Sequence, residues 1–211
     1  MRVISVVSSK GGGGKTTLAS MLAVKAASIS RRVCMVDLDP QRSLVGWWQR
    51  RGRTENPTIF DGVDLASEAV ERLSHDGWDW VFIDTPPAFV NLISDAIKAC
   101  DLAIIPLRAS ALDLIASEDA VLAARDAGRA HLCVINDAEP RWKTTHSARD
   151  YLLAASVPVA KTIITHRAVY LSAMTSGKTG PEIDRTLAAG KEIDALWDEV
   201  VNALEAAHVK A

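Results

Sequence analysis

The chain has 211 residues, of which 48% are hydrophobic and 24% charged, and this is enough to build the buried core of one globular domain spanning residues 1–211. The formal net charge of -2 excludes a uniformly basic nucleic-acid coat, so any DNA contact must come from a local patch or from one assembled by dimerisation. No apolar run reaches the roughly 18 residues of a membrane span. Since the sequence begins directly on an apolar strand, we expect a cytoplasmic protein without a membrane partner.

Short runs rich in Val and Ile alternate along the chain with longer segments of helical period. This pattern predicts a mostly parallel, twisted sheet with helices on both faces, a three-layer α/β fold. The predicted strands cover 3–7, 32–37, 80–84, 102–107, 131–136 and 159–164. The predicted helices cover 16–30, 43–50, 65–74, 92–98, 112–127, 145–155 and 188–207. Residues 176–181 are predicted to form a mobile loop because they are rich in Gly, Ser and Pro.

Three polar clusters follow predicted strands, at residues 10–17, 37–41 and 84–87. In an open parallel sheet, ligands bind beyond the carboxyl ends of the strands, where loops enter helices. We therefore expect the three clusters to form one site.

The first cluster has the composition of a phosphate-binding loop. Gly11, Gly12, Gly13 and Gly14 leave the backbone N–H groups open to phosphate oxygens, and the helix that follows adds its positive end. Lys15 is placed to reach the β- and γ-phosphates, and the Thr16 hydroxyl to bind Mg²⁺. Thr17 completes the cluster.

The spelling K-G-G-x-G-K-T-T of residues 10–17 resembles the deviant Walker A ATPases of the ParA/MinD group. "VDLDPQ" at 36–41 and "VFIDTPP" at 81–87 continue the resemblance, and "DPQRSLVGWW" is similar to small ParA-type partition ATPases without a helix-turn-helix domain. The resemblance implies a P-loop NTPase fold, ATP and Mg²⁺ as cofactors, and a homodimer that traps two ATP molecules. It assigns Lys10 to the phosphates held by the partner subunit, much as an arginine finger acts.

The same resemblance suggests roles for acidic and amide side chains. Asp39 matches the second acidic residue of the group's D-x-D motif and is our candidate for orienting the attacking water. Asp84 ends the group's Walker B strand and is expected to hold Mg²⁺ through water. Asp37 either supports the metal's water shell or the loop, or is purely structural. Asn136 contacts adenine or caps a loop.

Several functions share this core, so the fold alone does not choose among them. An iron-sulfur reductase is disfavoured because Cys34, Cys100 and Cys133 lie in or beside apolar runs. A membrane ATPase is disfavoured because the C-terminal segment is acidic rather than basic.

The favoured function is ATP-driven partition or positioning of DNA. The resemblance implies nonspecific DNA binding by the ATP-bound dimer on the nucleoid, and a centromere-binding or cargo-adaptor partner that stimulates hydrolysis. Basic residues gather in the C-terminal third as Arg141, Lys143, Arg149, Lys161, Arg167, Lys178 and Arg185. Among these, Arg167 and Lys178 are the candidate DNA contacts. The alternative is a nucleotide-gated switch that positions a protein or membrane cargo without DNA.

Overall fold

The computed structural model describes residues 1–30, 32–87, 89–139, 143–184 and 186–210, without the side chains of Lys143 and Lys210. The strands are β1 (Arg2–Val6), β2 (Val33–Asp37), β3 (Thr58–Phe60), β4 (Trp80–Asp84), β5 (Leu102–Leu107) and β6 (Ala130–Ile135). The helices are α1 (Lys15–Ala27), α2 (Ser43–Arg50), α3 (Ala66–Leu73), α4 (Val90–Ala99), α5 (Ala111–Asp126), α6 (Lys143–Ala154), α7 (Ala168–Ser176), α8 (Gly180–Ile183) and α9 (Ala188–Lys210).

The strands form one sheet in the order β3-β2-β4-β1-β5-β6, and every described pairing is parallel. β1 lies in the middle, between β4 and β5. The chain first winds from β1 toward β3 and then crosses to β5, so the connections change direction at β1. This is the topological switch point at which doubly wound sheets bind their ligands.

Helices cover both faces of the sheet, and successive strand residues alternate between them. Ile4 and Val6 point into the core shared with α1, α2 and α9, whereas Val3 and Val7 point into the core shared with α3, α4 and α5. All four side chains are almost fully buried, because a parallel sheet between two helix layers has no solvated face. The predicted three-layer α/β fold is confirmed.

The predicted strand at 159–164 is wrong as a regular strand. The segment meets β6 through one isolated bridge, between Val159 and Cys133, and a few backbone hydrogen bonds. A second bridge joins Thr165, just past the segment, to Ala138, just past β6. Between the bridges, the N–H groups of Lys161 and Thr162 donate to the Glu199 carboxylate of α9, at 2.6 and 2.8 Å. The Thr162 N–H, which a regular ladder to β6 would use between those of Ala160 and Ile164, is thus bound by a helix side chain instead.

The segment 176–181, predicted to be a loop, forms the end of α7, a short junction and the start of α8, and the junction contacts α2. Gly177 ends α7 with φ of 68°, and Thr179 and Glu182 form a capping box at the start of α8. The Trp47 indole donates to the Lys178 carbonyl at 2.8 Å.

None of the described helices is long and apolar enough to cross a bilayer.

Candidate functional site

The phosphate-binding loop connects β1 to α1 and depends on its glycines. Gly12 and Gly14 have φ of 78° and 82°, in the left-handed region that favours glycine. A Cβ on Gly14 would lie 2.2 Å from the Asn136 amide nitrogen, and one on Gly13 would lie 3.2 Å from the Pro106 carbonyl oxygen. Gly14 caps α1 without any side-chain hydrogen bond, so the N–H groups of the first turn remain available to an anion.

Asn136 directly follows β6, and its side chain contacts the backbone of this loop. Its side-chain amide donates to the Gly13 carbonyl at 2.8 Å, and the residue is buried. Of the two roles considered for Asn136, the geometry supplies a loop-capping contact. The same residue also lines a cavity on the outer side of the loop.

Lys15 begins α1 and is buried under the loop. Burial lowers the pKa of its ammonium group, and the nearby charges of Asp84 and Asp39 oppose that effect. Its neighbour Thr16 donates from its hydroxyl to Oδ2 of Asp84 at 2.6 Å. The loop and the end of β4 are therefore in direct contact, as the clustering of strand ends predicts.

Asp84 has the features of a ligand for a hard cation. Its side chain is fully buried, and its Oδ1 atom has no hydrogen-bond partner within the described residues. Burial raises the pKa of this carboxyl to about 7, with the neighbouring Asp37 adding to the effect and the Thr16 hydroxyl opposing it. A bound divalent cation would favour the ionised form. The Thr16 hydroxyl and the free carboxylate oxygen are the kind of ligands that Mg²⁺ prefers.

Asp37 and Asp39 lie side by side at the end of β2 but face different surroundings. Asp37 is buried, and its two oxygens accept the N–H groups of Asp39 at 3.1 Å and Val45 at 3.0 Å. Its carboxylate thus ties the loop to the first turn of α2. Asp39 accepts the Gln41 N–H at 2.9 Å and lies on the wall of the open cleft above the glycines.

Lys10 lies at the outer lip of the loop, where its side chain is 44% exposed and pairs with Asp113 at 3.0 Å. Asp113 belongs to the first turn of α5, is buried and also accepts the Ser110 hydroxyl. The hydroxyl of Ser9 donates to the Ala116 carbonyl on the same helix. Sequence reasoning missed Asp113 because it lies within the first turn of α5 and not directly at a strand end.

Two adjoining cavities lie over the loop. The first, of about 630 Å³, is walled by the loop, Asp39 and side chains of α2 and α7; the second, of about 360 Å³, lies toward Asn136 and the start of α7. Wall residues absent from the sequence prediction include Arg42, Arg50, Leu171, Met174 and Thr175 in the first, and Arg108, Asp137, His166 and Tyr170 in the second. Those on α7 were missed because α7 itself was not predicted.

The two candidate DNA contacts lie at opposite ends of α7. Arg167 caps its start and pairs with Glu192 of α9 at 2.5 Å, whereas Lys178 follows its end and is exposed. The charge of Arg167 is therefore already compensated within the chain. Three other basic groups proposed for the same surface, Arg141, Arg185 and the side chain of Lys143, lie outside the described residues.

The cysteines are core residues. Cys34, Cys100 and Cys133 are free and buried, and burial raises the pKa of their thiols to about 12, 11 and 12, respectively. A thiol of this kind is a poor metal ligand because the thiolate is the binding form. This placement agrees with the interpretation of these residues as packing groups.

Comparisons with known proteins identify relatives over most of the chain. A family described as "CobQ/CobB/MinD/ParA nucleotide binding domain" matches residues 4–180. The Maintenance of carboxysome distribution protein A of Halothiobacillus neapolitanus is 29% identical over 94% of this chain and 95% of its own length. Protein ParA of Rhizobium radiobacter is 38% identical over 54% of this chain and 51% of its own.

Solved structures show the same fold. Apo McdA of Cyanothece superposes with a TM-score of 0.75 at 18% identity, covering 95% of this chain and 99% of that one. MinD of Pyrococcus horikoshii, complexed with Mg-ADP, superposes with a TM-score of 0.76 at 21% identity, covering 94% and 95%. With the family domain matching residues 4–180, the chain belongs to the CobQ/CobB/MinD/ParA nucleotide-binding family and is a ParA/MinD-type ATPase.

Proposed function

We propose that the protein is a Mg²⁺-dependent ATPase that dimerises when ATP is bound and uses the cycle to position or partition a cargo on DNA. The observation that carries the proposal is the presence of two lysines in one loop with opposite placements. Lys15 is buried beneath the glycines, whereas Lys10 stands at the lip and is 44% exposed. We infer that Lys15 serves a phosphate within its own subunit and that Lys10 does not.

Within one subunit, the N–H groups of residues 11–14 and the Lys15 ammonium hold the β- and γ-phosphates, with Thr17 and Asn136 lining the same cavities. Thr16 and Asp84 hold Mg²⁺, and Asp37 supports that site through the loop it ties to α2. When bound, Mg²⁺ neutralises charge on the phosphate oxygens. Asp39 orients the water that attacks the γ-phosphate, a role that needs position more than basicity.

The surface around Lys10 supports dimerisation. Large apolar side chains stand exposed on three helices that border the loop, namely Val90 of α4, Leu112 and Ile115 of α5 and Leu171 of α7. An exposed apolar group beside a charged loop is typical of a surface that another protein covers. In the dimer, Lys10 leaves Asp113 and reaches the phosphates of the partner subunit.

The DNA part of the proposal is supported by relatives named for partition, among them the chromosome partitioning protein ParA of Myxococcus xanthus and the chromosome-partitioning ATPase Soj of Thermus thermophilus. A dimer doubles any basic patch on its surface, and contact with phosphates alone would be independent of sequence. We propose that the ATP-bound dimer associates with the nucleoid and that a centromere-binding or cargo-adaptor protein stimulates hydrolysis.

A second candidate is a nucleotide-gated switch that positions a protein cargo without binding DNA. The observation in its favour is the full-length match to a protein named for carboxysome distribution, together with the acidic net charge of -2. The two candidates use the same nucleotide site. They differ in whether the ATP-bound dimer binds DNA, and in both of them the partner protein determines the cargo.

The experiment that separates the two candidates is ATP turnover with and without duplex DNA of arbitrary sequence, paired with direct DNA binding in ATP, ADP and no nucleotide. The first candidate requires binding with ATP only, and a turnover that responds to DNA. Turnover that ignores DNA, with no binding at low salt where electrostatic attraction is strongest, would leave the protein-cargo switch. Absence of ATP turnover under every condition would refute both.

A further inference from the structure

The C-terminal ends of α2 and α7 meet and have the same design. Gly52, with φ of 90°, lies just past the end of α2, and Gly177, with φ of 68°, directly follows α7. A cation follows each glycine, Arg53 and Lys178. The N–H of Arg53 donates to the Trp48 carbonyl at 3.1 Å, and the N–H of Lys178 to the Ala173 carbonyl at 3.0 Å. Such left-handed caps fix the direction in which the chain leaves each helix.

The two ends are packed against each other without space for another atom. A Cβ on Gly177 would lie 2.2 Å from the Arg51 backbone nitrogen. The Arg51 guanidinium donates to the Gly177 carbonyl at 3.1 Å, and the Trp47 indole donates to the Lys178 carbonyl at 2.8 Å. The backbones that carry the cations are thus rigidly joined.

Three cationic side chains, Arg50, Arg53 and Lys178, are exposed on this junction, and we call them the α2–α7 patch. Within the described residues, none of the three forms an ion pair with a carboxylate. The acidic neighbour Glu182 is already bound by the Arg51 guanidinium, through two hydrogen bonds of 2.8 and 2.7 Å. The patch therefore keeps its positive charge although the chain as a whole is acidic.

The helix ends explain why the three cations of the α2–α7 patch can lie on the same junction. The C-terminal end of an α-helix carries a partial negative charge of about half an elementary unit, which favours nearby cations. Two such ends converge at the α2–α7 patch. These partial charges stabilise the three cations. Because they are not full negative charges, the cations can still attract an external anion.

The two tryptophans of α2 are not available as apolar anchors for a protein partner. Trp47 is fully buried, and Trp48 is partly buried with its indole N–H bonded to the Thr54 carbonyl at 3.0 Å. Protein interfaces depend on a few aromatic or aliphatic side chains that enter pockets, whereas contact with a nucleic-acid backbone requires only cations and polar groups. The chemistry of the patch fits phosphate.

We propose that the α2–α7 patch binds the phosphate backbone of duplex DNA without reading bases. The inference rests on the DNA-positioning function proposed above and names the surface that performs it. It keeps Lys178 as a contact and brings in Arg50 and Arg53 in place of Arg167, whose charge is compensated by Glu192.

The test is the variant Arg53→Gln/Lys178→Gln, since Arg50 also walls the nucleotide cleft and is left unchanged. Arg129→Gln is the matched control, because Arg129 is an exposed arginine just before β6 and lies outside the α2–α7 patch. Fluorescence anisotropy with a labelled arbitrary duplex, ATP and Mg²⁺ is measured over a series of salt concentrations. Removing one phosphate-binding cation lowers the salt slope by about 1. The double variant should therefore bind more weakly, with a slope shallower by about 2 per subunit, while the control keeps the slope of the wild type.

Each other outcome overturns a defined part of the inference. If wild-type protein binds DNA and the double variant binds with an unchanged slope, the patch is not the DNA surface, although DNA positioning stands. If wild-type protein does not bind DNA at low salt, both the patch assignment and the DNA function fail. If poly-glutamate displaces DNA from the wild type as effectively as unlabelled duplex does, the patch is a site for an acidic protein. Retained binding of a fluorescent ATP analogue shows that the double variant is folded.

Discussion

At the scale of single residues, Lys15 and Lys10 stand five positions apart in one loop and in opposite environments. We expect Lys15→Ala to lose most nucleotide affinity, because the variant removes a buried cation from the phosphate-binding loop. Lys10→Ala should bind nucleotide as well as the wild type, because Lys10 contacts Asp113 instead. Titration with a fluorescent ATP analogue measures both. Equal losses in the two variants would contradict the division of labour between the lysines.

A second prediction concerns the aspartate on the cleft wall. Asp39→Ala should bind ATP and remain dimeric for longer than the wild type, because it removes the group that orients water and leaves the loop intact. Gel filtration in ATP and Mg²⁺ follows the dimer, and phosphate release follows turnover. Asp39→Asn is the comparison that preserves size and the hydrogen bond accepted from the Gln41 N–H. A variant that stays monomeric in ATP would show that Asp39 acts on the structure of the loop.

The sequence could predict the residues of the phosphate loop and the acidic strand ends because both obey local rules. Glycines next to Lys and Thr identify the loop, and a carboxylate after a buried strand identifies the edge where loops converge. Asp113 and Arg50 do not follow from local rules alone. Their positions depend on how α5 and α2 pack beside the loop, and this packing requires the complete fold.

At the scale of elements, the junction between α2 and α7 can be tested through its glycine. Gly177→Ala should lower the free energy of unfolding by more than the roughly 1–2 kcal/mol that a left-handed backbone costs an alanine, because the new Cβ would also meet the α2 backbone. Gly62→Ala is the matched control, with φ of 81° and nothing within 4 Å of the added Cβ. Urea denaturation gives both values. Equal costs would mean that α2 moves aside easily.

Strands and helices with a clear hydrophobic pattern could be predicted from the sequence. Elements that form only because they pack or pair with another element could not. The strands that became β1, β2, β4, β5 and β6 are apolar runs long enough to stand out. β3 has three residues, too few to show a period, and it exists because it pairs with β2. The sequence "AVYLSAMTS" of α7 has no distinct polar face, since one side packs on α2 and the other borders the nucleotide cavities.

At the scale of the whole molecule, the exposed apolar residues around the loop predict where two subunits meet. Leu112→Asp should prevent the ATP-dependent dimer while leaving nucleotide binding unchanged, because Leu112 is 72% exposed and a buried unpaired carboxylate is costly. Leu153→Asp on α6, where the leucine is 48% exposed, is the control that adds the same charge elsewhere. Light scattering with ATP and Mg²⁺ gives the mass. A dimer that persists in Leu112→Asp would place the interface on another face.

The irregular segment beside β6 has a consequence for how the molecule avoids aggregation. A sheet with a long free edge invites strand addition by other chains. Here one edge is β3, only three residues long, and the other is flanked by residues 158–165, two of whose N–H groups are occupied by Glu199. Neither border offers a regular ladder to a foreign strand. Copies of this protein that lie close together therefore have no regular sheet edge through which their sheets could join.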